Sequence, residues 1–198
     1  MKYKGYFRFG QRDGKGKFEE PGVTYEGYWK AGQRSGMGWQ TDNWGRYEGN
    51  WEKNLRHGRG QQMFHNGDSY VGEWDRNQFD GKGKYTSQDG LIREYEGSWE
   101  KHKKVGKGIA VFRDGSRYEG SWKGDQMHGS GVMSEPDSGM VVDGKWREGK
   151  LEGNASVMNS TGNTYSGQFK NGQLCSSSKG RPSILVPETP CITLPQLL

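Results

Sequence analysis

Glycine pairs and four histidines are the residues most able to do chemistry in this sequence. Gly-x-Gly pairs recur along the chain, and in a strand-loop-helix context such pairs bind nucleotide phosphates. None extends to Gly-x-Gly-x-x-Gly, none is followed by a helical pattern, and no Gly-Lys-Ser or Gly-Lys-Thr occurs. The histidines, His57, His65, His102 and His128, are spread over different repeats and do not converge on one metal ion. We therefore expect strand glycines, no cofactor and no metal site.

Charged side chains are abundant, but their placement follows a period. Acidic residues follow the opening residue of most repeats, as Glu26 and Glu48 do, and basic residues such as Lys15 and Arg59 lie between paired glycines. Opposite charges on outward positions of paired strands favour cross-strand ion pairs over acid–base catalysis. The sequence predicts that the chain is not an enzyme.

The elements that position these residues are extended strands. Tyr47, Gly49 and Trp51 alternate with polar residues, which is the period of a strand with rings on one face. A second extended run is expected from Gly58 to Phe64, and Asn66-Gly67 then favours a tight turn. One unit is thus a β-hairpin plus the turn into the next.

This unit recurs every 22–25 residues. A tyrosine or valine opens each copy, a glycine follows two positions later, and a ring follows two positions after that. Seven residues after the ring comes the next fixed glycine, and a second glycine, or Ala155 in one copy, comes two later. The opening positions are Tyr3, Tyr25, Tyr47, Tyr70, Tyr95, Tyr118, Val142 and Tyr165.

The pattern Tyr-x-Gly-x-Trp-x6-Gly-x-Gly resembles the MORN (membrane occupation and recognition nexus) repeat. Seven full copies and an eighth half copy cover residues 3–172. The resemblance implies an all-β fold: a single-layer antiparallel solenoid of β-hairpins, curved into an open trough. It also implies a scaffold or adaptor in cytoskeletal, ciliary, flagellar or cortical assemblies, and in some relatives a homodimer. Similar arrays precede catalytic domains in some lipid kinases and methyltransferases, so a regulatory segment is an open alternative.

Composition agrees with a thin repeat array. The hydrophobic fraction is 29%, yet the chain has 8 Trp, 10 Tyr, 7 Phe and 34 Gly at regular intervals, so rings of neighbouring units can cover one another without a deep core. We expect residues 1–172 to form the array. Residues 173–198, with four of the six prolines and both cysteines, are expected to be a disordered tail, a loose cap or a docking peptide, and Ile184-Leu185-Val186 could add an edge strand.

The first functional hypothesis is protein binding, by an extended helix or strand laid along the array. Rings outside the repeat pattern either fill the outer pleat or anchor this partner, since aromatic residues are enriched at interface hot spots. Leu91 and Ile92, in the longest turn, either pack locally or touch a partner. The candidates are Tyr6, Tyr28, Trp39, Trp44, Phe79, Leu91 and Ile92.

The alternative hypothesis is weak, salt-sensitive binding to a phosphoinositide or another anionic membrane lipid. Basic residues near an anionic leaflet contribute about 1 kcal/mol each. The densest basic loop and basic residues from other repeats supply the candidates, which are Lys101, His102, Lys103, Lys104, Arg34, Arg56 and Arg59.

The formal net charge of +5 is too small, and the rings too committed to the core, to favour nucleic acid. No run approaches the ~20 apolar residues of a membrane-spanning helix, and no apolar leader opens the chain. We therefore expect a cytoplasmic protein, associated with the cytoskeleton or with the cytoplasmic face of a membrane.

Overall fold

The computed structural model describes residues 1–177 and 192–193. Residues 1–103 form one compact unit, and the described residues from 104 onward form a second. The strands of the first unit are β1 (Lys2–Arg8), β2 (Gln11–Glu20), β3 (Val23–Lys30), β4 (Gln33–Asp42), β5 (Gly45–Glu52), β6 (Leu55–Phe64), β7 (Ser69–Asp75), β8 (Gln78–Thr86) and β9 (Ile92–Glu100).

The second unit begins one residue into β10. Its strands are β10 (Lys103–Phe112), β11 (Arg117–Lys123), β12 (Gln126–Glu135), β13 (Met140–Arg147), β14 (Lys150–Met158), β15 (Thr164–Lys170), β16 (Gln173–Ser177) and β17 (Ile192–Thr193). Within each unit every strand pairs antiparallel with its neighbour in the chain, so each unit is one sheet of consecutive hairpins. The predicted all-β hairpin architecture is confirmed.

A two-residue turn closes each hairpin just after its tryptophan or phenylalanine. At Lys53-Asn54 both residues have positive φ, 48° and 70°, as the tight turn favoured between twisted strands requires. The second strand therefore begins at Leu55, earlier than the expected Gly58. His57 and His128 consequently lie within β6 and β12.

The aromatic face of the first unit is a ladder of alternating rings. Tyr47 lies edge-on between Trp51 of its own hairpin, at a centroid distance of 5.1 Å, and Trp74 of the next, at 5.2 Å. The Trp51 indole also donates a hydrogen bond to the carbonyl of Gly38 in the preceding hairpin (3.2 Å). Each repeat is thus tied to both neighbours, and burial raises the pKa of Tyr47 above its ordinary value of 10.0.

The two fixed glycines of the second strand have different roles. Gly58 has a φ of 66° at a bulge, a conformation that side chains disfavour. Gly60 lies beneath the Tyr47 ring, so a Cβ there would overlap the tyrosine hydroxyl. The slot above Gly60 holds the tyrosine of the same hairpin, because its hydroxyl donates to the carbonyl of Asn50, three residues along its own strand (2.9 Å).

The second unit explains the two departures from the repeat. Val142 replaces tyrosine and Ala155 replaces the second glycine, and the two residues lie in paired strands of one hairpin. With no tyrosine ring to accommodate, the slot admits the Ala155 methyl group. Leu151 reaches Gly144 from the same face and is itself buried. The two substitutions therefore compensate each other.

At the end of the second unit the chain continues as β16 past Gly172, where we expected the array to end. Cys175, expected in the tail, lies in this strand, and the backbone of β17 pairs with it at Leu174 and Ile192. The candidate edge strand at residues 184–186 lies outside the described residues. Within the described part of the chain, no helix is long and apolar enough to cross a membrane.

Candidate functional site

Two rings of the first unit project from the face opposite the aromatic ladder. Tyr6 and Tyr28 each precede the inward ring of their strand, so alternation turns them outward. Each lies over the bulge glycine of the following strand, Gly14 or Gly36, where the missing side chain leaves room for a ring. Tyr6 is 70% and Tyr28 44% exposed.

Met37 and Trp39 continue this surface on β4. Both face outward, because they alternate with Gly38 and Gln40 of the ladder face. Met37 is 52% exposed, and Trp39 is half-buried with the guanidinium of Arg46 5.0 Å from its ring centroid. We call Tyr6, Tyr28, Met37 and Trp39 the outer patch. Three of its four members are sequence-predicted candidates, and β1, β3 and β4 bring them together.

Met37 was missed by the sequence analysis. The sequence contains a signal for it, because the residue between paired glycines must face outward, as Lys15 and Arg59 do. Lys15 of β2 also borders the outer patch. It is the cross-strand partner of Tyr28 on β3, and its ammonium lies 5.4 Å from the Tyr28 ring centroid. The Lys15 ammonium and the Tyr28 ring thus form a cation–π contact at the edge of the outer patch.

The other protein-binding candidates lie apart from the outer patch. Trp44 is 70% exposed, but it lies in the turn between β4 and β5. Its backbone N–H donates a hydrogen bond there to the Asp42 carboxylate (2.8 Å). Leu91 is 77% exposed in the turn before β9, and Ile92, the first residue of β9, is half-buried. None of these three residues lies on β1, β3 or β4, the strands that carry the outer patch.

The expectation that Phe79 is an exposed anchor was wrong. Its ring is 7% exposed and stacks on Tyr70 at a centroid distance of 3.7 Å. The reason is that β8 begins at Gln78, which places Phe79 opposite Trp74 on the ladder face. The corresponding position is arginine in the first three repeats, as Arg34 shows, and turns hydrophobic only in the last three, so the preceding repeats did not mark Phe79 as buried.

The anionic-lipid candidates do not share one surface of the first unit. Arg34 and Arg56 lie on the ladder face, with their guanidinium carbons 4.5 Å from the Trp51 ring centroid and 5.5 Å from that of Trp74. Burial lowers the pKa of both guanidinium groups. Arg59, in contrast, is exposed on the opposite face of the sheet, where its cross-strand partner on β7 is Glu73.

The basic loop is also divided in its roles. Lys101 is exposed in the turn after β9, and Lys103 is exposed at the end of the first unit. The ring of His102 packs against Phe79 at 4.6 Å, and burial lowers its pKa. In the second unit the ammonium of Lys104 forms an ion pair with Asp125 (3.2 Å). Two of these four side chains are therefore already engaged by the fold.

In the described part of the chain, neither a metal site nor a nucleotide-binding loop is assembled. No group of three or more His, Cys, Asp or Glu is placed there to hold a metal ion. The paired glycines lie in strands, consistent with their interpretation as structural residues.

Comparison with known proteins agrees with the geometry. The MORN repeat family model matches eight segments: residues 3–19, 25–45, 47–69, 70–92, 95–117, 118–140, 143–163 and 165–176. The eighth match includes most of β16, so the last repeat extends beyond the half copy that we expected. No curated protein matched the chain. Because the matches cover most of its length, the chain belongs to the MORN repeat family.

Proposed function

We propose that this chain is a non-enzymatic scaffold that binds a protein partner through the outer patch. The observation that supports this is the clustering of Tyr6, Tyr28, Met37 and Trp39 on one face of the first two repeats. The tryptophans and most of the tyrosines of the ladder are buried by their neighbours, whereas these side chains leave apolar surface in contact with water. Aromatic residues and methionine are enriched in protein interfaces, and fully buried aromatic anchors dominate binding energy.

The dimensions of the patch favour an elongated partner segment. From β1 to β4 it spans three strand spacings, about 14 Å. A two-turn stretch of helix, with apolar residues at positions i, i+3 or i+4 and i+7, covers a similar length of about 10 Å between its outer contacts. We therefore propose that the partner presents a helix or an extended strand along the array.

The setting of this interaction is also a proposal. MORN arrays are generally non-catalytic. Stand-alone arrays similar to this one are often components of cytoskeletal, ciliary, flagellar or cortical assemblies, which supports a partner in such a structure. The anionic-lipid alternative has less support, since Arg34 and Arg56 face the ladder side and Arg59 the other. The lipid candidates therefore do not form one surface, whereas three of the candidate rings lie together in the outer patch.

Site-specific photo-crosslinking tests the proposal. A photoreactive amino acid at Met37 should capture a partner in cell extract, because this side chain lies in the patch. Met63 offers a matched control, since it is also a methionine, is 56% exposed and faces the same side of the sheet from β6. A protein captured at Met37 and not at Met63 is the expected result. Equal capture at both positions, or none at Met37, would contradict the proposal.

A further inference from the structure

A row of basic side chains lies on the outer face of the second unit. Lys123, Arg147 and Lys170 directly follow the inward tryptophan or phenylalanine of β11, β13 and β15, so strand alternation turns them outward. We call these three residues the basic row. In the first unit the same repeat position holds both signs, with Arg8, Lys30, Glu52, Asp75 and Glu100. The uniform positive charge is therefore a property of the second unit.

The basic row borders a cavity of about 810 Å³ in the second unit. All three of its members line this cavity, together with Lys145, which lies two residues before Arg147 on the same face of β13. The cavity also reaches the bulge glycine Gly153. In the first unit an outward tyrosine covers the corresponding glycine, as Tyr28 covers Gly36, but no side chain lies within 4 Å of the Cβ position of Gly153. Four cations therefore surround an open depression.

The fold does not neutralise these four cations. All four are exposed, and among the described residues none of them has a carboxylate within 4 Å. Two carboxylates also line the cavity, those of Glu148 and Glu152. Glu152 is half-buried and accepts a hydrogen bond from the backbone N–H of Asn171 (2.9 Å), whereas Glu148 is exposed. Four basic side chains against two acidic ones, with His128 counted as neutral, leave an excess of positive charge for a negatively charged ligand.

The lining favours an acidic peptide over other polyanions. The tryptophan and phenylalanine rings that reach the cavity, Trp146 and Phe169, are 7% and 4% exposed, so nucleic-acid bases find no stacking surface there. A membrane leaflet is flat, whereas the cations surround a depression that also contains Glu148 and Glu152. A peptide, in contrast, can place single carboxylates beside single cations.

The spacing of the basic row selects the conformation of that peptide. Consecutive members are two strands apart, which corresponds to about 10 Å across a sheet. In a helix, residues seven positions apart lie on the same face and about 10.5 Å apart along the axis. In an extended peptide, residues that share a face lie about 7 Å or about 13 Å apart, so they do not match the row. Acidic residues at every seventh position of a helix therefore match all three cations.

We propose that the basic row binds a partner helix that carries aspartate or glutamate at every seventh position. The helix lies across β11, β13 and β15, and its central carboxylate meets Arg147 whichever direction the helix runs. Lys145 adds positive charge beside this central contact. The site uses no residue of the outer patch and lies in the other unit, so it goes beyond the proposed scaffold contact and does not depend on it.

A pair of designed peptides tests the spacing. The probe is an alanine- and glutamine-rich helix of about 21 residues with glutamate at every seventh position. The control peptide has the same composition, with its three glutamates on different faces of the helix. NMR titration of the full chain in about 0.1 M sodium chloride measures both affinities and locates the contact. The heptad peptide should bind at least about tenfold more tightly than the control and shift the backbone amide signals of β13 and β15.

Charge reversal at the central position tests the basic row itself. Arg147→Glu should weaken binding of the heptad peptide at least about tenfold, because like charges then meet. A peptide with lysine in place of the central glutamate should bind this variant more tightly than the glutamate peptide does, which an unfolded variant could not achieve. Lys107→Glu is the matched control, since Lys107 is exposed on the outer face of β10 and does not line the cavity. It should bind the heptad peptide within about twofold of wild type.

The proposal is overturned if the heptad peptide does not bind, if both peptides bind equally, or if the central lysine does not restore binding to Arg147→Glu. Vesicles of phosphatidylcholine and phosphatidylserine form a parallel arm of the experiment. If they bind wild type but not Arg147→Glu, while the peptides show no preference, the basic row is a membrane contact and the helix proposal is wrong.

Discussion

Replacing Gly60 with alanine should expel a ring from the ladder. A Cβ at Gly60 would overlap the Tyr47 hydroxyl, and β6 is held on both sides by its pairing with β5 and β7. The ring is 1% exposed, and its hydroxyl donates to the carbonyl of Asn50 (2.9 Å). We therefore expect Gly60→Ala to displace Tyr47 rather than to shift the backbone.

The size of the effect follows from what the ring loses. A buried side chain of this size contributes roughly 1.5–3 kcal/mol, and the hydroxyl hydrogen bond about 0.5–1.5 kcal/mol. Because the displaced ring keeps part of its contact with the surface, we expect the free energy of unfolding to fall by about 2–4 kcal/mol. Tyr47→Val should lower it by a similar amount through the same lost contacts.

The double variant Tyr47→Val/Gly60→Ala separates this explanation from a general intolerance of alanine. It reproduces the natural pair Val142 and Ala155 of the seventh repeat. With the ring gone, the alanine methyl group has room, so the double variant should be about as stable as Tyr47→Val alone. The coupling between the two sites should therefore equal the cost of Gly60→Ala, about 2–4 kcal/mol, which reaches the upper end of the roughly 0.5–3 kcal/mol found for residues in direct contact.

Urea unfolding followed by circular dichroism measures these differences as shifts of the midpoint at constant m-value. Ala155→Gly is the control at the natural alanine. It should reduce the free energy of unfolding by about 1 kcal/mol, since it removes one methyl group and adds backbone freedom. If the costs of Tyr47→Val and Gly60→Ala simply add in the double variant, the ring does not fill the slot above Gly60 and the explanation is wrong.

Three further predictions concern the first unit. Phe79→Ala should reduce the free energy of unfolding by about 3–5 kcal/mol, because it removes a buried ring that stacks on Tyr70; a change in urea midpoint close to zero would place the ring outside the core. Burial alone would raise the pKa of Asp68, but hydrogen bonds from Tyr85 and other donors outweigh it and hold the pKa below 3.8. Its contribution to stability is therefore present above pH 3.8 and lost as the pH falls through the lower folded value, so the stability of wild type should fall more steeply with acid than that of Asp68→Asn. Burial, and secondarily a nearby arginine, lower the pKa of His102 from 6.5. The unfolded chain then binds a proton first, so stability should decline as the pH falls below about 6.5, and His102→Gln should remove this part of the decline in a pH series of urea midpoints.

The sequence predicts the strands and the ladder face well, because a period of two is written directly in the residue types. Tyr47, Gly49 and Trp51 share a face on that argument alone, and the structure confirms it. The exchange of tyrosine for valine and of glycine for alanine in one repeat was visible too. Its meaning was not, since compensation requires knowing that Val142 and Ala155 lie in paired strands.

What the sequence could not supply is the strand register around the bulges. The bulge places Phe79 on the ladder face, at a position that is arginine in the first three repeats and hydrophobic in the last three, so residue type varies too much along the array to identify it. The expected cross-strand ion pairs illustrate the same limit. Lys84 of β8 does pair with Glu94 of the neighbouring β9 (2.8 Å), but Lys17 pairs with Glu19, two residues along one strand, because flexible side chains on a shared face choose partners by local geometry.

The composition of the outer patch depends on register as well. Alternation alone turns Tyr6 and Tyr28 outward, but only strand pairing shows that Met37 and Trp39 join them. The same pairing separates Trp44 from this group. Proximity in three dimensions, rather than residue type, distinguishes the patch from other exposed rings.

The most direct test of the account is the affinity of the partner captured at Met37 for a variant with serine at Tyr6, Tyr28 and Trp39, measured by isothermal titration calorimetry. Removing three aromatic anchors should weaken binding at least about 100-fold, because single hot-spot rings contribute about 2 kcal/mol or more. Trp44→Ser, which removes an equally exposed ring outside the patch, should leave the affinity within about twofold of wild type. Unchanged affinity in the triple variant, or a large loss with Trp44→Ser alone, would contradict the claim that the outer patch is the binding surface.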